Sequence, residues 1–192
     1  MGKKFLSEVI NEHKEEIIGT TTYYNGVDSE QSNTDLILIT AGVGAGKNTW
    51  VQKCLTQELT GFENILFITS RKLIKEQMLK DVDFQDDYIN CQKFRTNYTI
   101  THHSLKRFFE SPEKFEQLID LNFKYIVIDE IHSLIADASY TDTAFYLYTL
   151  IKYYNAHNVK VICLSATTKN VLPFLEYFEN FKHFDFQKNA KM

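Results

Sequence analysis

Residues 35–49, Asp-Leu-Ile-Leu-Ile-Thr-Ala-Gly-Val-Gly-Ala-Gly-Lys-Asn-Thr, join a short apolar run (35–40) to a glycine-rich turn and then to a segment, 47–58, with helical patterning. A buried strand, a glycine-rich loop and a helix in that order form a phosphate-binding loop. Gly42, Gly44 and Gly46 permit positive φ values, so successive backbone N–H groups can turn inward around an anion. The helix starting near Lys47 aims the positive end of its dipole at the same place. Lys47 is expected to reach the terminal phosphates, with Gly42, Val43, Gly44, Ala45, Gly46, Asn48 and Thr49 around them.

Two positions depart from the usual pattern. Ala41 stands where the first motif glycine is common. Asn48 stands where a Ser or Thr hydroxyl usually ligates Mg²⁺. An Asn amide oxygen can serve a hard cation. Thr49 lies about 100° further round the helix and is badly placed to substitute. The plainer alternative is a glycine-rich strand–helix turn with an ordinary lysine.

A second apolar run, Lys124-Tyr-Ile-Val-Ile128, ends in Asp129-Glu130-Ile131-His132. Two adjacent carboxylates then sit at the carboxyl end of a buried strand, the edge at which open α/β sheets bind ligands. Asp129 is expected to hold Mg²⁺, through water, and Glu130 to polarise an attacking water. Asp and Glu also favour the first turn of a helix. A phosphate loop upstream makes that structural reading the weaker one.

Between and around these runs, strands and helices alternate. Phe5, Leu6, Val9, Ile10, His13 and Ile17 recur at helical spacing and give an amphipathic helix over 5–17, followed by a polar loop over 19–34. Further strands are expected at 64–68, around 89–91 and 98–101, and at 159–164. Helices are expected at 71–80, 103–109, 113–120 (with Pro112 at the start), 142–155 and after Pro173. Strands apolar on both faces and alternating with helices predict an α/β fold, a mostly parallel sheet covered by helices. Residues 1–34 read as a helix and loop appended to one domain over 35–192.

Composition agrees. The 192 residues are 44% hydrophobic and 24% charged, as in ordinary globular chains, with only two Pro and seven Gly. Disordered, collagenous and coiled-coil classes are excluded. Twenty-one basic and 25 acidic residues give a net charge of −4, which excludes a charge-dominated nucleic-acid binder but not a local basic patch. The three cysteines, Cys54, Cys91 and Cys163, form no CxxC pair and suit no disulfide framework. With no apolar leader and no run near 18 apolar residues, the expected compartment is the cytoplasm, away from membranes.

Taken in order, the motifs resemble the first motor domain of a superfamily 2 helicase of the DExH branch. The loop at 41–48 is similar to helicase motif I, and Asp129–His132 reads as DEIH, motif II. Ser165-Ala166-Thr167 matches the motif III triplet. Thr69-Ser70-Arg71 resembles motif Ia, and Thr101-His102-His103-Ser104-Leu105 the motif Ib region. The resemblance implies a RecA-like domain using ATP and Mg²⁺. It implies catalytic roles for Lys47, Asp129 and Glu130, with Asn48 and Asp129 at the metal. It implies coupling through His132, Ser165, Ala166 and Thr167. It also implies contact with single-stranded DNA or RNA near Thr69, Ser70, Arg71, Thr101 and His102.

Tyr23 and Tyr24 lie upstream, where the family contacts adenine, but they read more plainly as loop aromatics. The basic helix of Arg71, Lys72, Lys75 and Lys80 reads as nucleic-acid-proximal or as a solvated face. His102 and His103 lack the partners of a metal site. His13, His157 and His183 read as surface residues. The family's motors use a second RecA-like domain that carries arginine fingers, and no Gln/His-Arg-x-Gly-Arg-like segment occurs here. The expectation is a piece of a longer helicase, or a chain that works with a partner domain. A phage packaging-type ATPase, a small-molecule kinase and a non-catalytic nucleotide-binding module remain as alternatives.

Overall fold

Residues 36–40, 65–69, 125–129 and 160–165 are buried at every position. Strands without a solvent face must be covered on both sides, which is the condition of a parallel sheet inside an α/β protein. The computed structural model describes residues 6–18, 36–61, 63–80, 84–86, 97–136, 142–157, 159–178 and 180–187. Within them, β1 (Leu36–Thr40), β2 (Asn64–Thr69), β3 (Phe84–Asp86), β4 (Asn97–Thr101), β5 (Phe123–Asp129), β6 (Lys160–Ser165) and β7 (Phe181–Asp185) form one sheet. Their order is β3-β4-β2-β5-β6-β1-β7, and every neighbouring pair is parallel.

The order explains why there are two cores. From β1 the chain crosses past β6 and β5 to reach β2. From β4 it steps back in the opposite direction, through β5 and β6, to β7. A single hand of crossover sends connections of opposite direction over opposite faces. Accordingly α3 (Lys47–Lys53) and α4 (Lys72–Met78), which follow β1 and β2, bury Trp50, Val51 and Met78 on one face with Ile37, Ile39, Phe67 and Val127. The later helices take the other face: α5 (His102–Phe109), α6 (Pro112–Ile119), α7 (Ile131–Ala136), α8 (Thr143–Ala156) and α9 (Leu172–Leu175). Leu105, Leu118, Leu134, Leu147 and Leu150 pack there on Leu38, Leu66, Ile126 and Ile128.

The expected α/β sheet with helices on both faces is what the structure has. The differences are local. The single helix expected over 5–17 is two, α1 (Leu6–Glu12) and α2 (Lys14–Ile18), broken at His13. They still bury Leu6, Val9, Ile10 and Ile17, so the apolar spacing marked the right face. The helix expected over 47–58 stops at Lys53 and continues after Cys54 as a 3₁₀ turn, Leu55–Glu58. β3, α7 and β7 were not expected, and the helix placed after Pro173 is instead one turn containing it. The strand expected near 89–91, the loop 19–34 with Tyr23 and Tyr24, and Cys91 fall outside the described residues. Among the described residues no helix is long and apolar enough to cross a membrane.

Parallel pairing puts all strand ends on one edge. Thr69 is level with Thr101 on one side and Asp129 on the other; Thr40 is level with Ser165 and with Asp185. Every motif quoted above begins at that carboxyl edge.

Candidate nucleotide site

Lys47 is the first residue of α3, and Gly46 before it caps the helix with φ 91°. Gly44 is also left-handed, with φ 73°. Beyond the adjoining residues, no atom lies within 4 Å of where a Cβ would stand at either position, so it is the backbone conformation that calls for glycine. Gly42, expected to share this freedom, is not left-handed. Its contribution is its carbonyl. Lys47 Nζ donates to Ala41 O at 2.9 Å and to Gly42 O at 3.1 Å. Burial draws the lysine below its ordinary pKa, opposed by the negative charges of Glu130 and Asp129. Phosphate oxygens are stronger partners for an ammonium than neutral carbonyls, so the same side chain can exchange its loop contacts for an anion. Val43 is 73% exposed at the tip of the loop; Ala45 is half-buried and Thr49 exposed.

Asn48 reaches across from α3 to the end of β5, its Nδ2 lying 3.5 Å from Asp129 Oδ2. Its Oδ1 is buried with no hydrogen-bond partner. Asp129 is 2% exposed. Burial, and after it the charge of Glu130, push its carboxyl up to about 6 against the pull of Lys47 and the Asn48 contact. A buried amide oxygen without a donor, beside a carboxylate whose charge is held off by desolvation, makes a donor pair that fits a hard divalent cation.

Glu130 has φ 53°, the only left-handed non-glycine among the described residues. That conformation costs roughly 1–2 kcal/mol in an L-residue, and such strain gathers at functional sites. Glu130 Oε2 lies 3.2 Å from His132 Nδ1, which is also 3.0 Å from Ser165 Oγ. Ser165 gives its own proton to Thr167 O at 2.6 Å. His132 is therefore assigned the Nδ1–H tautomer, donating toward both Ser165 and Glu130. Thr167 N donates back to Ser165 Oγ at 3.2 Å. Motifs II and III thus meet through side chains.

The residues expected near nucleic acid are less uniform. Thr69 is fully buried, and its Oγ1 accepts from Arg71 N at 3.2 Å. Ser70 is half-buried and Arg71 exposed. Thr101 Oγ1 shares a hydrogen bond with Ser104 Oγ at 3.1 Å. His102 turns inward and is 3% exposed, its ring 3.9 Å from that of His103, which is the exposed member of the pair. As the first residue of α5, His102 has its side chain on the face that packs against the sheet, so it is His103 that stands on the surface.

Sequence reading missed a group at the base of the phosphate loop. Thr40 Oγ1 donates to Asp185 Oδ1 at 2.9 Å and lies 3.0 Å from His183 Nε2, while Gln187 Nε2 donates to Ala166 O at 3.0 Å. His183 and Asp185 sit on the unexpected edge strand β7, after the last motif, and Gln187 lies just beyond it, so no local pattern marked them.

Fold and edge chemistry together define a RecA-like nucleotide-binding motor domain of the superfamily 2 helicase type. The family model of the type III restriction enzyme res subunit, ResIII, matches residues 3–170, and the chain belongs to that family. No curated protein matches the sequence significantly. Among solved structures, the DUF1998 helicase MrfA bound to DNA and AMPPNP is similar with a TM-score of 0.52 and 17% identity, over 83% of this chain. This chain spans 26% of the MrfA chain. Domain III of the Thermotoga maritima replication initiation protein DnaA has a TM-score of 0.49 and 15% identity, over 96% of this chain and 64% of that one.

Proposed function

We propose that the chain is the ATP-hydrolysing first motor domain of a nucleic-acid-dependent helicase, working with a second RecA-like domain in cis or in trans. In this reading residues 35–192 are the motor and 1–34 its N-terminal appendage. One observation carries it: the phosphate-loop lysine, the orphaned Asn48 oxygen and the paired acids Asp129 and Glu130 converge on one sheet edge. Family membership and the likeness in fold to MrfA, a helicase bound to DNA and AMPPNP, support the same reading.

Lys47 leaves the carbonyls of Ala41 and Gly42 for the terminal phosphates of ATP, while the amides of residues 42–49 surround them. Asn48 and Asp129 would hold Mg²⁺, which when bound supplies neutralisation of phosphate charge. Glu130 accepts hydrogen bonds from the attacking water and takes its proton. His132 holds Glu130 in its strained conformation and connects it to the loop of Ser165, Ala166 and Thr167, which couples hydrolysis to strand movement. Single-stranded DNA or RNA lies over Ser70, Arg71, Thr101 and the exposed His103, while the buried Thr69 and His102 support that surface from behind. We place this work in the cytoplasm, where ATP and nucleic acid meet.

Glu130→Gln tests the assignment. It is expected to bind Mg·ATP within a few-fold of wild type while turnover falls below detection. Turnover equal to wild type would refute the role of Glu130. Asn48 in place of a hydroxyl is the one observation that favours a non-catalytic nucleotide-binding module. ATP binding with no hydrolysis in the presence of oligonucleotide and the partner domain would decide for that module.

A further inference from the structure

Outside the motifs, a set of polar contacts on the carboxyl edge joins the end of β7 to both halves of the candidate site. Thr40 Oγ1 has one proton, and it goes to Asp185 Oδ1; the neighbouring His183 Nε2 is then the donor to Thr40. Phe186 N donates to Thr40 O at 2.8 Å, one residue before the loop begins. Asp185 Oδ1 also accepts from Gln187 N at 3.0 Å, an Asx-type turn that fixes the backbone of residue 187. Phe186, between them, is 4% exposed and packed into the core. Gln187 is thereby held at its backbone while its side chain lies exposed, with Nε2 on Ala166 O at 3.0 Å.

We infer that Gln187 is a positioning residue that locks the loop of Ser165, Ala166 and Thr167 to the strand carrying the phosphate-binding loop, a role that rests on the ATPase reading above. Ala166 lies between the two groups that define the Ser165 hydroxyl: Ser165 itself and Thr167, whose N–H and C=O both bond to Ser165 Oγ. The hydroxyl so held receives His132, and His132 holds Glu130. Releasing the Ala166 carbonyl loosens this chain at its far end. Phosphate contacts do not pass through Gln187, because Lys47 and its loop are anchored separately by Thr40 with Phe186 and Asp185. The consequence is a rate effect without an affinity effect. Because Gln187 is exposed and outside both cores, its replacement does not threaten the fold.

The test compares wild type with Gln187→Ala, with Gln187→Glu, which keeps the shape but loses the donor, and with Gln187→Lys, which restores one. Single-turnover hydrolysis of Mg·ATP is measured beside ATP affinity and amide hydrogen exchange of residues 165–169. One neutral hydrogen bond predicts a roughly three- to tenfold slower step in the Ala and Glu variants. ATP Kd is expected to stay within about twofold, exchange at Thr167 to quicken by a similar factor, and the Lys variant to recover both. An unchanged rate in Gln187→Ala, a loss of affinity as large as the loss of rate, or a Lys variant no better than Ala would each overturn the proposal. Wild-type protein that fails to hydrolyse ATP with oligonucleotide and its partner domain would remove the ATPase reading, and this role with it.

Discussion

Asp129 ends a strand that is buried over its last five positions, and burial raises its carboxyl from an ordinary 3.8 to about 6. Between those values the folded protein keeps a proton that the unfolded chain has lost. The stability this group contributes is therefore complete below about pH 4 and is lost as pH rises through 6, a change on the order of 2–3 kcal/mol. Asp129→Asn lacks that dependence. Without nucleotide or Mg²⁺, the Tm of Asp129→Asn is expected to draw ahead of wild type from pH 4 to 6.5 and to stay ahead above it. A constant gap across that window in thermal melts would show that Asp129 is not desolvated. Asn48 faces the same point with a buried oxygen that has no donor. Asn48→Thr is expected to preserve or tighten Mg²⁺-dependent ATP binding, and Asn48→Leu to weaken it about tenfold, the size of one lost polar contact of about 1.4 kcal/mol. Titrations of both variants with and without Mg²⁺ check this; wild-type affinity in Asn48→Leu would remove Asn48 from the metal.

The four central strands were legible because each is an apolar run bounded by polar residues, and burial on both faces produces that pattern. β7 was not, since Phe-Lys-His-Phe-Asp at the sheet edge has half-buried and exposed positions throughout. β3 is three residues long and α7 six, too short for any periodicity to appear. His13 and Cys54 interrupt helices whose apolar spacing runs on through the break, so spacing located the buried face but not the ends. The candidate site divides in the same way. Its motif residues all follow apolar runs and could be found. The His132–Ser165 contact arises from β5 and β6 being neighbours in space, which local sequence does not encode, and no local pattern marks the left-handed Glu130. One more element depends on such a long-range contact. Lys160, 8% exposed at the start of β6, donates to Ile17 O at 3.2 Å and also to Ile18 O, at the carboxyl end of α2. Lys160→Ala leaves those carbonyls without that donor, and urea unfolding is expected to show a loss of about 2 kcal/mol. A loss under 0.5 kcal/mol would mean α2 is held by its apolar face alone.

On the proposed reading, this seven-stranded sheet is one of a motor's two RecA-like domains. Its net charge of −4 and the few cations beside Arg71 predict weak binding to single-stranded nucleic acid that falls steeply with salt. Arg71→Ala is expected to weaken it further and to flatten the salt slope; fluorescence anisotropy across salt concentrations reads both, and salt-independent binding would count against a phosphate-contacting face. Arginine fingers contribute about 10³–10⁵ in related phosphoryl-transfer sites, so the chain by itself is expected to hydrolyse ATP slowly and to unwind no duplex. Both expectations presuppose that the edge binds nucleotide through its phosphate loop. Calorimetric titration of Mg·ATP into wild type and Lys47→Ala measures that directly. Saturable binding by wild type, and none by a Lys47→Ala variant with an unchanged circular dichroism spectrum, is the predicted result; equal binding by the two proteins would contradict it.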